Sequence, residues 1–358
     1  MSSATSSEEA SSRSLRVVRL DDRSREAAIA FARSAWDRPC SDTYFDWRYR
    51  QDAPQEAALA MNGDECVGGV FAFRRPYLTP DGERDCLEMF DWYADDVWRA
   101  RGAGLRVIKE FMRDGRPLLA LGGTPQARAI FERLKWTRLD TGWRLNLPLT
   151  GRYFRDRGRT AAFAAAFDLS ARHLMVPRAR ASRVQLVPAG TMSPSIAGML
   201  RTQGRFAWIR LADPATDAWL RRAPASFGTL LGFHVRSGGR LVGWASARIY
   251  EASGLRTAAV QELFLADDAT SLYGGAAREL CRILVGFSPD VITAATSCRH
   301  SLAALQRLRF RRDYDLPIYC WTGTEVPTPA ATLADGAHAE WAFFPLPTAA
   351  EAAWLDAR

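Results

Sequence analysis

The segment Arg99-Ala100-Arg101-Gly102-Ala103-Gly104 is where residue types and spacing in this sequence first add up to chemistry. Three small residues in a row, Gly102, Ala103 and Gly104, let backbone N–H groups come close to an anion. An apolar-periodic helix follows, with Leu105, Val107, Ile108, Phe111 and Met112 at helical spacing. Its first turn offers the positive end of the helix dipole. Arg99 and Arg101 add two guanidinium groups, which grip phosphate in a forked geometry. Together these features describe a cradle for a pyrophosphate. A complete Rossmann glycine pattern and a Walker loop are both absent, which argues against dinucleotide and ATP binding. The histidines, His173, His234, His300 and His338, are far apart and show no metal-ligand spacing. The six cysteines, Cys40, Cys66, Cys86, Cys281, Cys298 and Cys320, contain no C-x-x-C pair. Neither a metal site nor a disulfide framework is expected from them. No Gly-x-Ser-x-Gly nucleophile elbow occurs.

The elements that must position this loop appear twice along the chain. Ala58–Ala72 and Gly232–Ala247 each read as strand, tight polar turn, strand. A Trp and an Ala-Pro precede each hairpin: Trp47 with Ala53-Pro54, and Trp219 with Ala223-Pro224. A further strand ending in Ala-Asp-Asp follows in each half, at Leu87–Asp96 and Val260–Asp268, with Ala94 and Ala266 172 positions apart. Gly102-Ala103-Gly104 then corresponds to Gly274-Gly275-Ala276. A helix comes next, and then a short strand (Pro117–Leu121; Asp290–Ala295), a second helix (Pro125–Leu134; Ser301–Leu308) and a final strand (Trp143–Leu147; Pro317–Trp321). The repeats open on strand-like Leu15–Leu20 and Val184–Val187. The expected fold class is α/β: two tandem domains at 15–150 and 184–322, each a mixed, mostly antiparallel sheet flanked by helices. An Arg-rich linking helical segment occupies 151–183, a disordered tail 1–14, and a Pro/Ala-rich tail 323–358.

These residues resemble the GNAT acyltransferase superfamily, whose loop Q/R-x-x-G-x-G/A is matched by Arg99, Gly102 and Gly104. Tyr44–Tyr49, closing with Pro54, is similar to an early helical region of some bacterial members. The resemblance covers 15–147 and, more faintly, 184–322, where Ser271 stands in place of Gln/Arg. It implies tandem GNAT-like domains, with acetyl-CoA or another acyl-CoA bound by Arg99, Ala100, Arg101, Gly102, Ala103, Gly104 and Leu105. It implies that the pantetheine arm meets backbone near Trp92–Ala94, and that a substrate amine attacks the thioester directly. A carboxylate must then take the amine's proton. Glu88 and Asp91 are the candidates, and strand alternation places them on opposite faces: Glu88 with Phe90, Trp92 and Ala94, Asp91 with Met89 and Tyr93. Asp91 is preferred, being closer to the loop; Glu262 is its counterpart in the second half. The Tyr that protonates the leaving thiolate in many members is replaced by Phe131, leaving Tyr93 or water for that role. Trp47, Trp92, Trp98 and Trp136 are expected near the cleft.

The formal net charge of +8 and pI of about 9.5 come almost wholly from Arg, since Lys109 and Lys135 are the only lysines. Met1–Ser14 has no apolar stretch of signal-peptide type, and no apolar run is long enough to span a bilayer. A cytoplasmic protein with free thiols is expected. The function implied is transfer of an acyl group from acyl-CoA to a primary amine of a small molecule or sugar. Two alternatives stand beside it: an inactive GNAT shell that only binds, and a Fem-like transferase drawing on charged tRNA. A homodimer is left open.

Overall fold

We describe a computed structural model covering residues 15–35, 41–49, 55–174, 183–212, 214–252, 254–323 and 332–333. The tail at 1–14, most of the tail at 323–358, Cys40 and Pro54 lie outside the described residues. The first half opens with β1 (Arg16–Arg19), α1 (Arg25–Ala35) and α2 (Asp42–Tyr49). Arg25 joins the two helices through a forked pair with Asp46 at 2.7 and 2.8 Å. The antiparallel run β2 (Gln55–Asn62), β3 (Glu65–Thr79) and β4 (Gly82–Ala94) follows. Gly63 turns the first hairpin with φ 63°. The matching turn in the second half uses Gly238 and Gly239, both at positive φ, as a two-residue hairpin turn requires.

After β4 come α3 (Asp96–Ala100), α4 (Ala103–Met112), β5 (Leu118–Leu121), α5 (Pro125–Arg133) and β6 (Thr137–Pro148). Thr124 caps α5 by accepting the Ala127 amide at 3.1 Å, with Pro125 in the first turn. The linking segment is two helices, α6 (Gly151–Asp156) and α7 (Ala161–Leu174). The second half repeats the plan: β7 (Val184–Pro188), α8 (Pro194–Arg201), β8 (Trp208–Arg210), α9 (Pro214–Arg221), β9 (Thr229–Ser237), β10 (Arg240–Ala252), β11 (Leu255–Leu265), α10 (Tyr273–Val285), β12 (Val291–Thr296), α11 (Arg299–Arg307) and β13 (Arg311–Trp321). A short β14 (Thr332–Leu333) pairs with β8.

All fourteen strands among the described residues join in one sheet, with main order β1-β2-β3-β4-β5-β13-β6-β12-β11-β10-β9-β7. The order is symmetric by repeat, and the last strands are exchanged. β13 of the second repeat lies against β5 of the first, while β6 of the first lies against β12 of the second. The boundaries 15–150 and 184–322 therefore each include a strand that belongs to the other half of the sheet. β6 and β13 meet at the centre, where Trp143 pairs with Asp315, again 172 positions apart. A second pair of equivalent residues marks the same pseudo-twofold relation: Trp47 and Trp219 stack at 4.8 Å between centroids and 10° between planes. Each indole donates to the other's carbonyl, at 3.1 and 2.6 Å. Such mutual contacts are the signature of a self-complementary interface, here within one chain.

One face of the β2–β4 region packs against α1 and α2 through Phe31, Phe45, Phe71, Phe73 and Phe90. The other packs against α4 and α5 through Val107, Ile108, Phe111 and Phe131. Each half thus borrows its sixth strand. A fragment holding residues 15–183 alone is expected to show no cooperative thermal unfolding, because the edges of β5 and β6 that face β13 are then left unpaired. In the full chain, Trp47→Ala and Trp219→Ala are each expected to cost about 3–5 kcal/mol. The double variant should cost clearly less than the sum of the two, as read from denaturant curves.

Candidate active site

β4 and β5 are parallel and pair only at Leu87–Leu118, Glu88–Leu119 and Met89–Ala120. Beyond Met89 the remainder of β4, Phe90–Ala94, has no described partner on the β5 side. The two strands part at their C-terminal ends, where ligands collect in open α/β sheets. The N-termini of α4 and α5 both follow from those ends, so two positive dipole ends border the opening. Gly102 caps α4 in the left-handed conformation, φ 80° and ψ 19°, and a Cβ there would meet nothing within 4 Å. Arg99, Ala100 and Arg101 are exposed and Gly102 is partly so; the turn is not covered by side chains. The amides of Arg101 and Gly102 are committed to Trp98 and Arg99 carbonyls. Those of Ala103, Gly104 and Leu105 precede the first bond of the helix, Arg106 to Gly102, and take part in none of the described hydrogen bonds.

The structure refines the loop in two respects. A short helix, α3, stands between β4 and α4, capped by Asp95, which accepts the Val97 amide at 3.0 Å. Arg99 belongs to α3 and pairs with Asp96 one turn back, while Arg101 lies over Trp98 at 4.9 Å. Gly104 is needed for packing: a Cβ there would lie 3.1 Å from the Trp92 indole nitrogen, which donates to the Gly104 carbonyl at 3.0 Å. Trp92 therefore fastens α4 to β4.

The simple alternation expected along β4 does not hold. The register of β3 and β4 shifts between Gly69–Tyr93 and Phe71–Phe90, so Val70 faces both Asp91 and Trp92. Asp91 is the bulged residue, with φ 46°. The bulge turns Phe90 and Asp91 to the same side, so Glu88 and Asp91 share one face, with Tyr93. Met89, Trp92 and Ala94 lie on the α4 side. A period of two cannot carry a face assignment across an inserted residue, and no residue type in Phe90-Asp91-Trp92 announces the insertion.

Both carboxylates are buried, in different company. Glu88 is fully buried, accepts from the Tyr77 hydroxyl at 2.5 Å, and lies 3.6 Å from Arg75 Nε. Asp91 is held by α2: its Oδ2 accepts from Arg48 Nε at 3.0 Å, Arg48 Nη2 at 2.6 Å and the Tyr49 hydroxyl at 2.6 Å. Oδ1 takes part in none of the described hydrogen bonds. Burial, with the neighbouring Asp91 charge, pushes the Tyr49 phenol well above its ordinary range, so it stays a donor. Arg48 and Tyr49 are the site residues sequence reasoning missed. They sit in the Tyr44–Tyr49 helix that was singled out, but nothing in that pattern says which strand it meets.

Phe131 packs between Trp92, at 5.6 Å, and Trp136, at 4.8 Å. Tyr319 of the exchanged β13 touches its ring as well, at 5.3 Å. Trp92, Trp98 and Trp136 thus share the α4 side, whereas Trp47 lies on the opposite face with Trp219.

The second copy is built differently at the same place. α10 starts two residues earlier in register, and its cap, Leu272, is right-handed. Gly274 and Gly275 fall inside the helix, without positive φ. Tyr273, the counterpart of Arg101, is 2% exposed; its hydroxyl accepts the Leu265 amide at 3.2 Å, and its ring stacks on His300 at 5.8 Å. A buried tyrosine thus stands where the first copy has the exposed Arg101. Glu262 there is engaged by Arg210, Trp244 and Ser246 at 2.5–2.7 Å. Among the described residues, no cluster of His, Cys, Asp and Glu could hold a metal, and no helix is long and apolar enough to cross a membrane.

No protein-family model matches this sequence, and neither does any curated protein. Solved structures do match. A GCN5-related N-acetyltransferase from Anabaena variabilis aligns with a TM-score of 0.59 at 9% identity, over 86% of this chain and 73% of that one. The N-myristoyltransferase of Saccharomyces cerevisiae with bound myristoyl-CoA aligns with a TM-score of 0.57 at 13% identity, over 87% and 84%. A conserved protein of unknown function from Enterococcus faecalis, a probable N-acyltransferase, gives 0.56 at 10% identity, over 87% and 73%. The chain has the GNAT fold. Within that GNAT fold the parted strands, the left-handed Gly102 and the bulged Asp91 all fall in the first repeat.

The Arg48–Asp91 pair is expected to be worth more to stability than its phenol partner. Arg48→Met leaves Asp91 buried without its cation and should lower unfolding free energy by about 3–5 kcal/mol. Tyr49→Phe removes one hydrogen bond to a charged group and should cost about 1.5–3 kcal/mol. Urea denaturation of the two variants checks the order.

Proposed function

We propose that this protein is an acyl-CoA-dependent N-acyltransferase, working at the first repeat and acting on a primary amine of a small molecule. One observation carries the reading: the gap between β4 and β5 beyond Met89 opens beside an exposed turn whose next three amides are uncommitted. The fit to a nucleotide thioester is chemical. Amides of Ala103, Gly104 and Leu105, with the α4 dipole, suit a diphosphate, and Arg101 and Arg99 lie exposed beside them. The backbone of Trp92–Ala94, without a partner strand on that side, suits an amide-bearing arm.

The acceptor amine approaches from the opposite face, that of α2, and attacks the thioester carbonyl. The C–N bond forms, the C–S bond breaks, and the proton leaves the nitrogen. Asp91 is the base in this reading: Arg48 and Tyr49 fix Oδ2, and Oδ1 is the oxygen available to the amine proton. The Arg48 guanidinium and the Tyr49 hydroxyl hold the carboxylate in one orientation. Glu88 is enclosed by Tyr77 and Arg75 and serves the fold. Phe131 cannot donate a proton, so Tyr93 or water protonates the thiolate. In the second copy the buried Tyr273 stands in place of the exposed Arg101, which supports one acyl-CoA per chain. In this reading the acyl unit is an acetyl group.

Two measurements test this. Gly102→Glu puts bulk and negative charge where a Cβ now meets open space, and should weaken acetyl-CoA binding at least tenfold by calorimetry, from a wild-type stoichiometry near one. Gly102→Ala, which carries only the strain of a positive φ, should weaken it much less. Equal affinity in Gly102→Glu and wild type removes the site. Asp91→Asn should lower kcat/KM about 100-fold or more, the range of general-base loss, with acetyl-CoA affinity retained; unaltered turnover removes Asp91 from this role.

A further inference from the structure

The stacked tryptophans do more than join the two halves. α2 ends at Tyr49, and the last carbonyls of a helix have no partner within it. One of these, the Trp47 carbonyl, is met by a donor from the other repeat: Trp219 Nε1 of α9, at 2.6 Å. Gln55 Nε2 reaches the same oxygen at 3.4 Å. Trp219 is 2% exposed, and its ring lies 4.8 Å from that of Trp47 and 4.9 Å from that of Phe73. Packing therefore fixes the indole and aims its N–H.

The peptide unit that Trp219 grips is the one joining Trp47 to Arg48. Arg48 and Tyr49, the next two residues, are those that hold Asp91 Oδ2. A short path thus runs from α9 of the second repeat, through the end of α2, to the carboxylate on β4. Positions related by the 172-residue offset carry this path only once. The reciprocal bond, Trp47 Nε1 to the Trp219 carbonyl, is present at 3.1 Å. Beyond it Leu220 stands in place of Arg48, and Leu263 in place of Asp91, and both take part in apolar packing. The contact is symmetric and its consequence is not.

Resting on the reading of Asp91 as the base, we infer that Trp219 is a positioning residue for that carboxylate, acting through the last turn of α2. The second repeat thereby supplies a fixed donor to the site of the first. The end of α2 sets where the Arg48 and Tyr49 side chains begin, and a misplacement of about 1 Å near reacting atoms can cost about 100-fold in rate.

The test uses the full chain with acetyl-CoA. It follows free thiol with glucosamine, glycinamide or cadaverine as the amine, and counts sites by acetyl-CoA calorimetry. Trp219→Phe keeps ring packing and removes the donor. Trp219→His keeps a donor, because Nε2 of a neutral His superposes on the indole Nε1, and loses ring volume. Packing alone ranks the Phe variant above the His variant in Tm and in turnover alike. Positioning crosses the two orders: Trp219→Phe melts higher, yet its kcat per site falls about 10- to 100-fold while Trp219→His stays within about threefold of wild type. Agreement of the two orders, or an unchanged kcat in Trp219→Phe, overturns the proposal. A second arm needs the Phe variant alone. In an Asp91→Asn background it should no longer alter kcat/KM, and a full loss there shows that Trp219 acts elsewhere. A third arm needs no turnover. Amide hydrogen exchange over residues 42–49 should quicken about fivefold or more in Trp219→Phe, the equivalent of one hydrogen bond, with residues 103–112 unaltered. Unaltered exchange over 42–49 overturns the proposal whatever the assay gives. Absence of acetyl-CoA binding to wild type defeats the acyltransferase reading, while the exchange arm still reads the hold of Trp219 on α2.

Discussion

The pairing of β6 with β13 is the contact on which the rest of the molecule depends. It is made between the last strands of two repeats, each lodged in the other's half of the sheet, with Trp143 opposite Asp315 at its centre. Because β5 has β13 as its outer neighbour and β12 has β6, neither half completes its ladder without the other. The stacked Trp47 and Trp219 repeat the relation on the α1–α2 side, with two hydrogen bonds that bury both indole nitrogens in satisfied form. The duplication is a single folding unit.

Symmetry of backbone makes the asymmetry of side chains informative. The first repeat keeps Gly102 left-handed; the second runs the corresponding glycines into a helix that opens on the buried Tyr273. Through the exchanged strands, the first half of the sheet has Leu316 where the second half has Arg144. In the acyltransferase reading proposed above, one copy holds the nucleotide end of a thioester and the other need only preserve the shared sheet. The fold alone does not choose among these uses; side chains at equivalent positions do.

The bulge at Asp91 links the two faces. An extra residue in β4 breaks the ladder next to the point where β4 leaves β5, and it rotates a carboxylate onto the α2 side. Arg48 and Tyr49 then hold one oxygen of that carboxylate. A helix that looks like a cap over aromatic core residues thereby also fixes the orientation of a buried charge. Glu88, three residues away on the same face, is enclosed by Tyr77 and Arg75.

Local patterns alone placed the hairpins, the glycine turn, the order of strands and helices and the repeat offset, because glycine conformational freedom, capping and periodicity act between residues near in sequence. Gly102 at positive φ and Thr124-Pro125 at the head of α5 are of this kind. The exchange of β6 and β13 and the meeting of Arg48 with Asp91 were settled by tertiary structure. Each depends on residues brought together across 40 or more positions, and strand pairing between identical patterns is degenerate: β6 and β13 carry repeats of one motif, so either could in principle lie beside β5. Only the connection lengths and the packing of the two-repeat core select between them. The face of Asp91 was equally out of reach, since one inserted residue reverses every assignment beyond it.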